Sequence, residues 1–283
     1  MKQKRPVEVV VISDVHLGTY GSRAGELLAY LHSIDPRTIV LNGDIIDIWQ
    51  FNKRYFPPDH LKVIKHLLSL VVKGKEVIYV AGNHDELMRR FRGFDLAGFK
   101  IVNKVVLELD GKRAWVFHGD VFDVTMKHSR WLARLGGIGY DFLIRLNTVV
   151  NACSHRLGRG RISLSKRIKS GVKRAIRHID DFETTAARIA MSNGYEYVVC
   201  GHIHQPQHRV ITDERGRSVT YLNSGDWIEN LTALEYDRGR WSLYEHGGAP
   251  VAAIGTDPLD TADLSHAMIF QAMVEEFQLE TSS

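Results

Sequence analysis

Cysteine is nearly absent. Cys153 and Cys200 are the two in a chain of 283 residues, which excludes a disulfide framework and is compatible with a reducing compartment. Long apolar runs are missing too. No uncharged stretch approaches the roughly 18 residues that a membrane helix needs. The apolar run in the N-terminal MKQKRPVEVVVISD is too short for a signal peptide. These absences predict a soluble, cytoplasmic protein. Neither sign of charge dominates, with 37 Lys plus Arg against 33 Asp plus Glu and a formal charge of +4. The total therefore does not by itself imply a polyanionic partner, and the distribution of charge matters more. The sequence shows no internal repeat and no low-complexity tract. What remains is a chain long enough to bury a large core, in one α/β domain or two smaller ones.

The first third alternates in pattern. Val7–Ile12 is a β-branched run interrupted only by Glu8, 25–34 has helical spacing at Leu27, Leu28 and Leu31, and Thr38–Leu41 is strand-like again. His60–Val72 reads as an amphipathic helix and Val77–Ala81 as a strand. Such alternation predicts parallel strands with crossover helices, and ligands gather beyond the carboxyl ends of such strands. After residue 100 the pattern turns to hairpins. Val105–Leu109 and Ala114–Phe117 flank Asp110-Gly111, Val219–Leu222 follows a turn at 214–216, and Ala233–Tyr236 and Trp241–Tyr244 flank 237–240. Two mixed sheets fit this better than one doubly wound sheet. Residues 121–190 carry no strand pattern and read as an inserted helical cap on a domain spanning 1–245. A linker and C-terminal extension, 246–283, follows, with a short helical pattern at Leu264–Phe277.

Polar residues close nearly every predicted core strand. Asp14 and His16 follow the first, Asp44 the second, Asn83 the third, His118 the Ala114–Phe117 strand, and His202 and His204 the Tyr197–Cys200 strand. Gly43, Gly82, Gly119 and Gly201 accompany them, permitting tight turns and close backbone approach. Any one block has an ordinary explanation: a hydrogen-bonded histidine, or the turn chemistry of Gly-Asp. The set does not, because every block brings ligand-competent side chains to a strand end. These seven residues suffice for two divalent ions if one carboxylate bridges. Imidazole with carboxylate suits manganese, iron, zinc or cobalt, and the lack of thiolate argues against a structural zinc knot.

Asp14-x-His16, Gly43-Asp44, Gly82-Asn83-His84-Asp85, His118-Gly119-Asp120 and Gly201-His202-x-His204 together resemble the calcineurin-like metallophosphoesterase signature, in order. The resemblance implies a four-layer α/β/β/α sandwich. It also implies a first metal held by Asp14, His16, Asp44 and His204, and a second held by Asp44, Asn83, His118 and His202. A metal-bound hydroxide would then attack phosphorus in line. His84 adjoins Asn83, so on extended chain their side chains diverge. The resemblance gives a His in this block the part of general acid or transition-state stabiliser on the leaving-group side. Asp85 has two readings: it orients His84, or it caps a helix starting near Glu86. Asp47, three residues after Asp44, also has two readings: a hydrogen-bond partner of a ligand, which is the preferred one, or a turn residue.

Residues 142–179 contain no Asp or Glu but carry Arg145, Arg156, Lys166, Lys169, Lys173 and other basic residues, just after an apolar stretch from Trp131 to Val150. An apolar segment feeding a basic one suits an amphiphilic anionic substrate at a membrane surface. Sparse aromatic interleaving weighs against nucleic acid. Lys166, Lys169, Lys173 and Arg89 are the candidate substrate contacts. SLSKRIKSGVK, GHIHQP and YLNSGDWIENLTAL are similar to segments of the UDP-2,3-diacylglucosamine pyrophosphatase branch, which implies manganese, a lipid-linked nucleotide substrate, a cap for acyl chains and peripheral work at the inner membrane. The branch has Arg where this chain has His84. A diphosphate bond expels a phosphate that needs no proton, whereas an ester expels an alkoxide that benefits from an acid. His84 therefore also admits a phosphomonoesterase or phosphodiesterase acting on a nucleotide or nucleic acid.

Overall fold

The computed structural model describes residues 4–48, 55–125 and 182–247. Strands β1 (Arg5–Ile12), β2 (Ile34–Asn42) and β3 (Glu76–Val80) are parallel neighbours joined by helices α1 (Ala24–Ser33) and α2 (Pro58–Val72). Strands β4 (Asp95–Leu96), β5 (Phe99–Val102), β6 (Lys104–Leu109) and β7 (Lys112–Phe117) follow. The rest are β8 (Tyr197–Cys200), β9 (Gln207–Thr212), β10 (Ser218–Asn223), β11 (Thr232–Asp237) and β12 (Arg240–Glu245). They form a seven-stranded sheet ordered β12-β11-β1-β2-β3-β5-β4 and a five-stranded sheet ordered β6-β7-β8-β10-β9.

The apolar run Val9–Ile12 of β1 has a direct cause. Val10 and Ile12 point into the core beneath α1 and α2, with Leu27, Leu31, Val63 and Leu67. Val9 and Val11 point the other way, into a second core with Val116, Val199 and Leu222 of the other sheet. Both faces of β1 are covered, so no polar alternation is possible. Each such side chain contributes roughly 1.5–3 kcal/mol on burial. The far face of the second sheet carries Trp115, stacked on Phe117 at 4.0 Å between ring centres. Residues 182–192 are helical, with Ala186, Ala187 and Ala190 fully buried. Glu183 of this helix pairs with Arg209 of β9. The layers thus run helix, sheet, sheet, helix, as expected.

Two expected hairpins form with the expected partners, β6 with β7 and β11 with β12, and the strand after the 214–216 turn pairs with β9, a strand the sequence reading had not named; all three pairs are antiparallel. Strand β2 is longer than the expected Thr38–Leu41, beginning at Ile34 and running through Pro36. β3 joins β2 only from Thr38 onward, opposite Glu76. Pro36 pairs with Val7 of β1 and has no β3 residue opposite it. Strand β5, which pairs parallel with β3, was not expected. Among the described residues no helix is long and apolar enough to cross a membrane. Most of the expected cap, including Lys166, Lys169 and Lys173, and the 246–283 extension apart from His246 and Gly247 lie outside the described residues.

Candidate dimetal centre

The strand ends converge. Asp14 and His16 leave β1, Asp44 leaves β2, Asn83 and His84 leave β3, His118 leaves β7, and His202 and His204 leave β8. Their donor atoms fall into three groups, each within 4.8 Å of one another: Asp14, His16 and His204; Asp44, His118 and His202; and His16, Asp44 and His84. Asp14 and His118 are 0% and 1% exposed, and Asp44 is 2%. His16 and His204 rings are 5.4 Å apart, and His118 and His202 rings 5.1 Å.

The backbone is bent to achieve this. Asp14, His16, Asp44, His202 and His204 all have φ between 51° and 70°, the left-handed region. Five of the nine described non-glycine residues with positive φ are therefore candidate ligands. Each costs of order 1 kcal/mol or more and persists because its surroundings fix it. Asp14 N and Val15 N donate to Gly43 O and Asp44 O, at 3.0 Å each, tying the first ligand loop to the second. Gly82 must lack a side chain: a Cβ there would lie 2.3 Å from Asp44 Oδ1. A Cβ on Gly43 would lie 2.3 Å from His118 Nδ1.

The polar contacts aim the donors. His84 N donates to Asp44 Oδ1 at 2.8 Å, and His202 N to Asp14 Oδ2 at 3.0 Å. His118 Nδ1 donates to Asn42 O at 2.8 Å, turning Nε2 into the centre. His118 Nε2 is 3.3 Å from Asp44 Oδ2, and His204 Nε2 is 3.1 Å from Asp14 Oδ1, attractive contacts without hydrogen-bond alignment. Burial works to raise the Asp14 carboxyl, yet His204 and His118 bring it down to about 2. Burial works to lower the His204 imidazole, and Asp14 lifts it to about 9. Asp44 and His118 move in the same opposed directions.

Metal fits this set on a specific observation. Asp14 Oδ1, His16 Nε2, Asn83 Oδ1 and His118 Nε2 are buried and have no hydrogen-bond partner among the described residues. A buried polar atom left unsatisfied costs roughly 1–3 kcal/mol. Four such atoms, all lone-pair donors and all from the strand-end blocks, would be satisfied together by divalent cations in a carboxylate–imidazole site.

One expected role needs correction. Asp85 neither orients His84 nor caps the short 3-10 helix Glu86–Phe91. Its carboxylate is buried and accepts from Gly82 N at 2.6 Å, Ile45 N at 2.9 Å and the Tyr79 hydroxyl at 2.5 Å. It knits the β3 turn to the β2 turn, and burial first, then Asp44, raises its carboxyl. The carboxylate on His84 is Asp47, whose Oδ2 is 2.9 Å from His84 Nδ1 and 3.4 Å from His16 Nδ1. Burial pulls the His84 imidazole down, but Asp47 and Asp44 raise it on balance. Arg89 is anchored on the protein side. It donates to Asp120 Oδ2 at 2.5 Å and Ala81 O at 3.2 Å, and forms one wall of an open cleft of about 420 Å³ with Ile48, Leu87 and Arg90.

The sequence reading missed the support beneath β1 and β8. Trp227 N donates to Asp14 O at 3.0 Å. Asn230 Nδ2 donates to His204 O at 2.8 Å and to Asp226 Oδ2 at 2.5 Å. Asp226 in turn accepts from Ile228 N and Glu229 N. The Gly-Asp-Trp turn after β10 was the available signal. His60, also passed over, accepts from Gly18 N at 2.9 Å and steadies the loop after His16.

A sequence model of calcineurin-like phosphoesterase matches residues 7–206. The UDP-2,3-diacylglucosamine hydrolase of Aliivibrio fischeri (strain MJ11) is 21% identical over 244 residues, covering 84% of this chain and 98% of that protein. The protein of the same name from Ralstonia nicotianae is 27% identical over 223 residues, covering 72% of this chain and 81% of that protein. A solved dimetal phosphatase from Danio rerio is 15% identical, covers 86% of this chain and 96% of that chain, and gives a TM-score of 0.38. The strand-end blocks lie within or at the edge of the matched 7–206 span, and the chain belongs to the calcineurin-like phosphoesterase family of metal-dependent phosphoester hydrolases.

Proposed function

We propose that the chain hydrolyses the diphosphate of UDP-2,3-diacylglucosamine or a similar lipid-linked nucleotide, giving UMP and an acylated sugar 1-phosphate. The four buried, unsatisfied donors carry the metal-dependent part of this reading. The names of the relatives that match most of the chain support the substrate class. One metal is held by Asp14, His16, Asp44 and His204, and the other by Asp44, Asn83, His118 and His202, with manganese preferred. When bound, the metals supply Lewis-acid neutralisation of charge at the phosphoryl group.

The chain's own residues do the rest. Asp14 and Asp44 stay ionised in the buried centre, and the Asn42 carbonyl fixes the ring of His118 so that Nε2 faces inward. Asp47 takes the Nδ1 side of His84, leaving Nε2 as the atom directed to the leaving oxygen. In diphosphate cleavage His84 stabilises charge there. The part of the expected insertion at about 121–190 that lies outside the described residues serves as the cap for the acyl chains, with Lys166, Lys169 and Lys173 as its phosphate contacts, and the work is done at the cytoplasmic face of the inner membrane.

The test is UMP release from UDP-2,3-diacylglucosamine with manganese, lost in Asp44→Ala. Absence of UMP alongside brisk turnover of small phosphodiesters would sink the reading. That outcome belongs to a second one, a phosphomonoesterase or phosphodiesterase acting on a nucleotide or nucleic acid. One observation favours it: the His84–Asp47 pair is built to hold a proton, and an alkoxide leaving group needs one.

A further inference from the structure

Helix α2 has two apolar faces. His60, Val63, Leu67 and Leu70 are buried beneath it. Leu61, Leu68 and Val72 are 57%, 56% and 87% exposed. Positions 61, 65, 68 and 72 lie one above another along a helix, so the three apolar side chains and Lys65 form a single outward stripe. A helix that only covers a sheet has a polar outer face, and here Leu61, Leu68 and Val72 interrupt it beside Lys62 and Lys65.

The stripe has a neighbour on the same side of the sheet. Phe99 of β5 packs against the core that holds Val63, Leu67 and Leu70 of α2. Leu96 pairs directly with Phe99 across β4 and β5, so it projects from that same face, and it is 62% exposed. Phe94, 43% exposed, contacts the Phe99 ring.

The charge around these side chains is cationic. Asp59 is taken up by Lys62 at 2.8 Å, and Asp95 stands opposite Lys100. Lys65, Lys73 and Arg92 form no salt bridge among the described residues. Exposed leucine, valine and phenylalanine rimmed by unpaired lysine and arginine are what an in-plane membrane helix presents: apolar groups enter the acyl boundary while the cationic heads reach phosphates. Helix α2 also starts at the ligand-bearing end of β2, so the stripe runs away from the rim of the metal centre.

We propose that the outer face of α2, extended by Phe94 and Leu96, docks the protein on an anionic lipid bilayer. Its purpose rests on the lipid-linked substrate proposed above, but vesicle binding is read without turnover, so either can fail alone.

The test is flotation of the full chain with vesicles of phosphatidylcholine containing one quarter phosphatidylglycerol, against phosphatidylcholine alone. Leu68→Glu with Val72→Glu is expected to lower the bound fraction at least fivefold. Lys65→Gln with Lys73→Gln is expected to erase the preference for the anionic vesicles. Both variants are on the solvent side, so melting temperature and hydrolysis of bis(p-nitrophenyl) phosphate are expected to match the wild type, which guards against misfolding. Three results would overturn the proposal: wild-type binding retained in both variants, no wild-type binding to either vesicle, or unchanged flotation with a dimer-to-monomer shift on gel filtration. The last would make the stripe a contact between copies of this chain.

Discussion

His84 Nδ1 lies 2.9 Å from Asp47 Oδ2, whereas the carboxylate next to it in sequence, Asp85, binds elsewhere. The proton on His84 is therefore governed from the β2 turn. If His84 serves an alkoxide leaving group, Asp47→Asn should lower kcat for an alkyl phosphodiester by roughly 10²-fold or more, the usual worth of a positioned acid. KM should change little, and a p-nitrophenyl ester, which leaves without a proton, should be much less affected. His84→Arg sharpens the contrast. It should preserve UMP release from a diphosphate and abolish hydrolysis of the alkyl ester. Equal losses on both substrates would mean that His84 only positions its neighbours.

The approach of Gly82 to Asp44 gives a second expectation. A Cβ at position 82 would sit 2.3 Å from Asp44 Oδ1 and 2.7 Å from Asp44 N, and neither a buried carboxylate nor backbone yields easily. Gly82→Ala should displace Asp44 and lower metal content, measured by plasma mass spectrometry, to less than half. Gly74→Ala is the control. Its φ of +75° strains any side chain, but nothing lies within 4 Å. It should cost roughly 1 kcal/mol in urea titration and leave metal content unchanged.

The sequence showed the fold and the donors for the same reason. Both depend on local pattern: the β-branched run of β1, the helical spacing of α1 and α2, and a ligand-competent residue after each strand. It did not show who supports whom. Asp85 looked like the partner of His84 because it is adjacent, yet the turn after β3 sends it back to Gly82 and Tyr79, and Asp47 arrives from 37 residues away. Likewise Asn230 reaches His204, and His60 reaches the loop after His16, only because β11 and α2 fold back beside the site. Periodicity has no access to such pairings.

Away from the centre, Glu235 ties three elements. Arg5 donates to it twice at 2.6 Å, and the Tyr30 hydroxyl once at 2.8 Å. Glu235 and Tyr30 are 6% and 1% exposed, while the Arg5 side chain is 49% exposed. Glu235→Ala leaves a buried hydroxyl unpaired and should cost roughly 2–4 kcal/mol. Arg5→Ala leaves Tyr30 bonded and removes a cation that water already half solvates, so about 1 kcal/mol is expected. Urea midpoints of the two variants check the order, and a larger loss for Arg5→Ala would contradict it.

His66 on α2 supplies a pH dependence that owes nothing to the metal centre. Burial first, then the charges of His32, Lys4 and Lys73, push its imidazole from 6.5 down to about 4. Between those two values the unfolded chain binds a proton at this position and the folded chain does not. By linkage, stability rises with pH across that window and is lost as pH falls from about 6.5 toward about 4. Carboxylates titrate in the same range, so the contribution of His66 is read as a difference. His66→Gln, which does not titrate, should lose less stability than the wild type between pH 7 and pH 5, measured by urea midpoint. Parallel losses in the two proteins would show that the His66 ring is protonated in the folded state as readily as in the unfolded one.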